Sequence, residues 1–183
     1  MAIYLSGGAS TIKAITKDVS FSGNTTQNEL NTAYIRNDIY MEGINSLTFE
    51  AAVSRTITLD GGIFGGSNSI VNKIGKGTLV FNGDFNLNIF NVYEGVMNFG
   101  EGSTFYGREV YFARDVFINM RTQSSNELRF SNLTSSASIC YDINLENKFV
   151  DRIAVDNYAQ MGGSKIKAAL SDVYSGSVTY KYN

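Results

Sequence analysis

Short runs with a large apolar residue at every second position recur along this chain at a nearly constant distance. Four such pairs are Ile57/Leu59, Leu79/Phe81, Met97/Phe99 and Ile118/Met120, and their first members are 22, 18 and 21 residues apart. Alternation with a period of two is typical of a strand that buries one face. The longer period of about 20 residues suits one coil of three short strands and three turns. Because a single coil cannot bury its own apolar face, the coils must stack.

We therefore predict an all-β fold, a right-handed parallel β-helix, with residues 1–183 as a single domain. Gly61, Gly83 and Gly100 follow three of the four pairs and mark turns. The chain contains no Pro, which fits strands that are paired on both sides and cannot give up a backbone N–H. The alternative is an antiparallel β-sandwich, whose strands recur about every 8–12 residues. The segment 164–170 has the spacing of a short helix, although its first half also fits a strand.

The charge and hydropathy pattern argues against two classes of partner. The formal net charge is −2, which gives no basic surface for a nucleic acid or an anionic membrane. No run of about 18 apolar residues occurs, so we expect no direct membrane insertion by this segment. The start Met1-Ala2-Ile3 has no signal-peptide pattern. We expect the chain to be a fragment of a larger surface protein whose export signal lies elsewhere.

The residue types needed for most catalytic centres are missing. The chain has no His, which excludes a Ser-His-Asp triad, a Cys-His pair and His-ligated zinc. No phosphate-binding loop occurs either. We therefore expect no enzyme and no cofactor. The lone Cys140 lies in an apolar run, where we expect a buried side chain rather than a reactive thiol.

Two routes to chemistry remain open at the level of sequence. Glycoside hydrolysis needs two carboxyl groups about 5–10 Å apart, and the candidates on neighbouring coils are Asp84, Glu94, Glu101, Glu109 and Asp115. We expect these side chains to be solvated turn residues. A calcium site is the second route, with Asp142, Glu146, Asp151 and Asp156 as candidates. The calcium-binding nonapeptide of secreted β-rolls is absent.

Tyrosines are the best candidates for contact with a ligand. The chain has 11 Tyr and 12 Phe, and many of the Phe occupy inward positions. An exposed row of Tyr93, Tyr106 and Tyr111, with Tyr158 further along, could stack on sugar rings or contact a protein. The alternative is that these rings pack at coil edges with their hydroxyl groups in water. The expected partner is a host or matrix glycan or protein.

One segment resembles a known family. The segment Gly75-Lys76-Gly77-Thr78-Leu79-Val80-Phe81-Asn82-Gly83 is similar to the passenger-associated strand repeat of autotransporters, the type V secreted proteins of Gram-negative bacteria. The second half of that repeat resembles residues 94–100. The similarity covers about residues 18–170 and is sharp over 75–100, with Phe81 where the repeat usually has Leu. From the residues themselves, Gly75 and Gly77 predict a turn with positive φ or a close backbone approach.

The resemblance implies a passenger domain that is extracellular, at the bacterial cell surface or secreted from the outer membrane, and that carries no catalytic residue in the repeat. Our leading hypothesis is a structural or adhesive segment of such a protein. One alternative is a carbohydrate-active β-helix enzyme that acts on a polysaccharide. The other is a self-associating module whose open coil ends stack end to end, since a truncated β-helix exposes unpaired strand edges.

Overall fold

A computed structural model describes residues 3–27, 34–65, 68–100, 103–120, 122, 126–144 and 149–170. All regular structure in these residues is β-strand. In chain order the strands are β1 (Ile3–Ala14), β2 (Val19–Phe21), β3 (Thr25–Gln27), β4 (Tyr34–Arg36), β5 (Ile39–Ala51), β6 (Thr56–Leu59), β7 (Ile63–Gly65), β8 (Ile70–Ile74), β9 (Thr78–Phe81), β10 (Asp84–Val92), β11 (Gly95–Phe99), β12 (Thr104–Phe112), β13 (Val116–Asn119), β14 (Glu127–Ser135), β15 (Ser138–Asn144), β16 (Phe149–Val150), β17 (Arg152–Gln160) and β18 (Lys165–Leu170).

Two sheets of eight strands each run along the molecule. The first sheet has the order β1-β5-β7-β10-β12-β14-β17, with β8 beside β5 and β10. The second has the order β16-β15-β13-β11-β9-β6-β2, with β18 beside β15. Neighbouring strands in both sheets are parallel, except for the short antiparallel pair β15–β16. The chain alternates between the sheets, so each coil contributes one long strand, or the pair β7 and β8, to the first sheet and a shorter strand to the second. This arrangement confirms the predicted parallel β-helix.

The long strands bend in the middle and thereby give the coil a third face. Buried and unburied side chains alternate along β10, β12 and β14, but each contains two consecutive residues that are not buried: Asn88–Ile89, Arg108–Glu109 and Ser131–Asn132. Two consecutive outward side chains require a bend in the strand. We call the part before the bend face 1, the part after it face 2, and the second sheet face 3. The coil β7-β8-β9 has the three short strands that the sequence predicts, whereas in the coils that contain β10, β12 and β14 the first two are joined into one bent strand.

Inward side chains from successive coils stack in columns that run the length of the helix. The face 1 column contains Ile3, Ile39, Ile63, Phe85, Phe105, Leu128 and Ile153. The face 3 column contains Val19, Ile57, Leu79, Met97, Ile118, Ile139 and Ile166. The second column includes the residues at about 20-residue spacing in the sequence, so that period is the coil repeat.

Phenylalanine rings form the densest part of the core, in the middle of the described coils. The ring of Phe105 lies 5.2–6.3 Å from the rings of Phe81, Phe85, Phe90, Phe99 and Phe130. All of these side chains are buried. A buried aromatic ring removes a large apolar surface from water, and neighbouring rings add to that gain. This cluster is therefore expected to be the most stable part of the fold.

The glycines of the strand-repeat segment have the backbone roles that their sequence predicts. Gly75 has a φ of +78°, a conformation that disfavours any residue with a Cβ. A Cβ at Gly77 would lie 2.2 Å from the carbonyl oxygen of Ala52. Leu79 and Phe81, which follow, are fully buried. The segment is thus a tight corner followed by an inward-facing strand.

One inward position of the core holds a lysine. Lys73 stands in register between Phe49 and Val92 and is fully buried. Its ammonium group donates hydrogen bonds to the carbonyl oxygens of Ile74, Gly75 and Glu94. Loss of hydration lowers the pKa of Lys73 from 10.5 to about 8, although the Glu94 carboxylate opposes that shift. The Lys73 side chain therefore links the backbones of two successive corners of the helix through hydrogen bonds.

Two strands form in segments whose local sequence does not favour a strand throughout. β1 spans Ile3–Ala14 although it contains Gly7 and Gly8, both with positive φ, and its pairing with β5 shifts register there. The segment 164–170, which has helical spacing, contains β18 and pairs in parallel with β15. Both segments are edge strands in the order of the sheets, and β-sheet pairing overrides their local sequence preference.

Candidate functional site

The outer surface of face 1 carries a column of aromatic and polar side chains in strict register. From coil to coil this outer column contains Tyr4, Tyr40, Phe64, Asn86, Tyr106 and Arg129. Adjacent members are separated by the strand spacing of about 4.8 Å. The rings of Tyr4 and Tyr40 are stacked, with centroids 5.8 Å apart and planes inclined by 10°. Each member follows an inward residue of the face 1 column, which is why the column is continuous.

A depression of about 370 Å³ lies beside this column. Its floor contains Phe85 and Phe105, and its two walls are columns on either side of that floor. The aromatic wall consists of Phe64, Asn86, Tyr106 and Arg129, and the polar wall consists of Asp84, Thr104 and Glu127. The depression is open and runs along the helix axis. It therefore combines apolar ring surface with hydrogen-bonding groups over several coils.

Hydrogen bonds hold the polar groups around the depression in place. Thr104 donates its hydroxyl hydrogen to Asp84, and the hydroxyl groups of Tyr106 and Ser131 are 2.9 Å apart. At the far end, Glu127 pairs with Arg152 at 2.6 Å. These contacts are made within the chain itself, so the side chains are positioned without a ligand.

An ion pair holds the Arg129 side chain at the end of the aromatic wall. The Arg129 guanidinium donates to both carboxylate oxygens of Asp156, at 3.0–3.2 Å. This hydrogen bonding raises the pKa of Arg129. At the other end of the outer column, the hydrogen bond from Tyr4 to the Glu42 carboxylate raises the pKa of Tyr4.

Face 2 carries a second, smaller group of aromatic side chains. The rings of Tyr93 and Tyr111 have centroids 6.0 Å apart and planes inclined by 55°. Tyr111 follows Asn72 and Asn91 in an outer column of face 2, where the Asn91 amide donates to Asn72 at 3.0 Å. This pair stands on a flat surface among short polar side chains.

The structure places the predicted tyrosines on the surface but divides them between two faces. Tyr93, Tyr106 and Tyr111 are exposed by 46%, 39% and 39%, and Tyr158 is also exposed. Tyr93 and Tyr111 lie together at face 2, whereas Tyr106 lies on face 1, before the bend at Arg108. The three therefore do not form one row.

Sequence reasoning missed the other members of the outer column of face 1. Tyr4, Tyr40 and Phe64 each come directly after an inward residue of the face 1 column, as Tyr106 does, and that relation is the signal that could have found them. The signal becomes visible only when the coil register is known. Tyr4, Tyr40 and Phe64 are 36 and 24 residues apart, so these members of the column do not recur at the period of about 20 residues that the face 3 pairs show.

The carboxylates that the sequence offers for catalysis are dispersed. Asp84 is on face 1, Glu109 is on face 2 with its carboxylate accepting from the Asn132 amide at 2.7 Å, and Glu94 accepts from the Gly75 N–H at 3.0 Å. Asp115 lies in the turn before β13. Glu101 lies outside the described residues. The structure instead brings Asp84 and Glu127 to one depression, and both stand on the same wall.

The calcium candidates do not converge in the described residues. Asp151 accepts a hydrogen bond from the Asn126 N–H at 3.0 Å, and Asp156 pairs with Arg129. Glu146 and the side chain of Asp142 lie outside the described part of the chain. Within that part, no three His, Cys, Asp or Glu side chains are grouped closely enough to hold a metal ion.

Two further observations bear on the predicted class. Cys140 is a buried free cysteine, as expected from its sequence context. The described residues contain no helix long and apolar enough to cross a membrane.

Comparison with known proteins gives no match to a family model, to a curated protein or to a solved structure.

Proposed function

We propose that this chain is an adhesive segment of an extracellular bacterial surface protein of the autotransporter type, and that face 1 is its binding face. The observation that carries the proposal is the outer column of face 1, where aromatic and polar side chains stand in register beside an open depression. A stacked-coil rod displays such a column at a distance from its attachment point. The strand-repeat segment at residues 75–100 supports the assignment to autotransporters.

A glycan is the ligand class that fits the depression best. A sugar ring has an apolar C–H face that packs on aromatic rings and hydroxyl groups that bond to carboxylates and amides. The depression offers Tyr106 and Phe64 on one wall, and Asp84 and Glu127 on the other. It is open along the helix axis, so an extended chain of sugars can lie across several coils.

The alternative function, a carbohydrate-active enzyme, has weaker support. Glycoside hydrolysis places one carboxyl group on each side of the scissile bond. Asp84 and Glu127 are two strands apart on the same wall, with Thr104 between them. Glu127 is also held by Arg152. This arrangement suits binding of a glycan rather than its hydrolysis.

A glycan array on the whole chain tests the proposal, with reducing ends measured in the same wells to detect hydrolysis. We expect saturable binding without product. The variant Tyr106→Ala should weaken binding about tenfold, the loss expected for one stacked ring. The matched control is Tyr111→Ala, because Tyr111 has the same exposure but lies on face 2. Its affinity should stay close to that of the parent chain.

Two results would contradict the proposal. Loss of binding in Tyr111→Ala but not in Tyr106→Ala would move the binding face to face 2. The absence of any glycan or matrix-protein binding would leave a structural role alone. Release of reducing ends would instead establish the enzyme, and Glu127→Gln should then abolish the product.

A further inference from the structure

The described β-helix is open at both ends. Among the described residues, β1 pairs with β5 alone and β2 with β6 alone, so one edge of each is unpaired. At the other end, β17 pairs only with β14 within the same residues. Unpaired strand edges present rows of N–H and C=O groups that can accept another strand.

Apolar residues of the core columns are uncovered at these ends. In the face 3 column Ile139 is 0% exposed, whereas Ile166, one coil further, is 63% exposed. Val19, at the opposite end of the same column, is only partly buried. In the face 1 column, Ile3 and Ile153 are likewise partly buried. Covering them would remove apolar area from water at about 25 cal/mol per Å².

The two ends match in register. If the last coil of one copy is placed under the first coil of the next, the parallel pairing continues with Ile153 against Ile3, Val155 against Leu5 and Ile166 against Val19. Every one of these contacts joins apolar side chains that already belong to the same column. Across the bend the two ends differ, with two residues between Val155 and Tyr158 and three between the corresponding Leu5 and Ala9, so the match holds on faces 1 and 3.

The charges at the ends are complementary in the same register. Lys165 is the last residue of a column that begins with Asp18, whose carboxylate accepts from the Thr56 N–H at 2.9 Å. Continued pairing places the Lys165 ammonium beside Asp18 of the next copy. Lys167 meets Ser20, and Ala154 meets Tyr4, so this register opposes no like charges at these positions.

We propose that a second copy of this chain docks on these ends, with the β17–β18 coil of one copy stacked on the β1–β2 coil of the next. The contact joins two different surfaces, and because the copies stack along the helix axis it generates linear chains of copies. The outer column of face 1 continues through the contact, because Tyr4 of one copy follows Ala154 of the other. A chain of copies therefore presents one extended binding face, which increases avidity for a long ligand.

Sedimentation velocity of the full chain over two orders of magnitude in concentration tests the proposal. We expect the mean mass to increase with concentration. Lys165→Glu should weaken association, by up to about fivefold for an exposed ion pair. The double variant Asp18→Lys with Lys165→Glu should restore association, because a negative charge at position 165 then faces a positive charge at position 18 of the next copy. The matched control Lys167→Glu, on the same strand, should change association less than Lys165→Glu.

A second measurement fixes the direction of stacking. In the Cys140→Ala background, one chain carries Asp18→Cys and another carries Lys165→Cys, and a bifunctional maleimide is added. Crosslinked dimers should form in the mixture and not with either chain alone. A chain that stays monomeric at every concentration overturns the proposal. Crosslinks between like chains, or association unaffected by Ile166→Asp in a variant with the parent circular dichroism spectrum, also overturn it.

Discussion

The middle and terminal coils place the same kinds of residue in the same columns, yet bury them to very different extents. In the face 3 column the side chain of Ile139 is covered on both sides and fully buried, while Ile166 is covered on one side and largely exposed. The two residues have the same chemistry and the same strand position. The difference shows that an inward residue in this fold is buried by its neighbouring coils and not by its own.

Stability should therefore vary along the helix. In a stacked-coil protein each coil contributes its own term plus a term for each interface with a neighbour. The middle coils have two interfaces and hold the phenylalanine cluster around Phe105. Within the described residues, the coils β1–β2 and β17–β18 have one interface each. The middle should open last and the ends first.

The largest expected effect comes from removal of a ring in the middle. Phe105→Ala should lower the free energy of unfolding by about 3–5 kcal/mol, since it leaves a cavity among five other rings. Ile166→Ala removes an inward side chain at the end and should cost less than about 1 kcal/mol, because most of it is already in water. Urea denaturation followed by circular dichroism measures both. Similar losses for the two variants would mean that the ends are as well packed as the middle.

Backbone approach at a corner gives the next largest effect. A Cβ at Gly83 would lie 2.0 Å from the carbonyl oxygen of Gly61 in the preceding coil. Gly83→Ala should therefore destabilise the fold by about 1–3 kcal/mol, as overpacking does elsewhere. Gly162, near the C-terminal end, has open space where its Cβ would be. Gly162→Ala is the control and should stay within about 0.5 kcal/mol of the parent chain.

The buried ammonium of Lys73 predicts a pH dependence that belongs to the middle coils. The pKa of Lys73 is about 8 in the folded chain, and its ordinary value of 10.5 applies to the unfolded chain. Between these values the unfolded chain binds more protons, so folding stability should increase with pH across that window. The quantity to measure is the difference in unfolding free energy between the parent chain and Lys73→Met. The other titratable groups are present in both chains, so their contributions cancel in this difference.

We expect that difference to shift in favour of the parent chain by about 1–2 kcal/mol between pH 8 and pH 10. Urea denaturation at a series of pH values measures it. Lys76→Met, in the exposed part of the same corner, is the matched control and should show no such slope. A pH-independent difference for Lys73→Met would mean that water reaches the ammonium group.

The smallest expected effect is that of a surface ion pair at an end. Lys13 on β1 and Glu50 on β5 are 2.7 Å apart and join the first coil to the second. Their coupling, from a double-mutant cycle with Lys13→Ala and Glu50→Ala, should be about 0.2–1 kcal/mol and should fall with added salt. A coupling well above that range would show that ion pairing, and not apolar stacking, attaches the terminal coil.

The same contrast explains what the sequence could and could not predict. The pairs at Ile57, Leu79, Met97 and Ile118 revealed the coil repeat because the loops between them have similar lengths. The first coil is longer, with 36 residues from Ile3 to Ile39, so its register was hidden. A strand at the end of the helix also has a partner on one side only, so its sequence shows less of the alternation of apolar residues that identifies a strand.

The candidate site was harder to predict for a related reason. Tyr106 could be named as an exposed aromatic, but its neighbours in the outer column belong to other coils and depend on the register of each loop. The inward position of Lys73 also contradicts the simple rule of apolar residues inside. The lysine is accommodated there because its ammonium group donates to carbonyl groups at two corners, and coil stacking brings those corners together.

Hydrogen exchange of the backbone amides, at a concentration where the chain is monomeric, tests most directly whether coil stacking determines stability. We expect the slowest exchange in the middle strands β9–β13 and progressively faster exchange toward β1 and toward β17–β18, because protection follows the number of neighbouring coils. Uniform protection along the chain, or slowest exchange at the ends, would contradict the account.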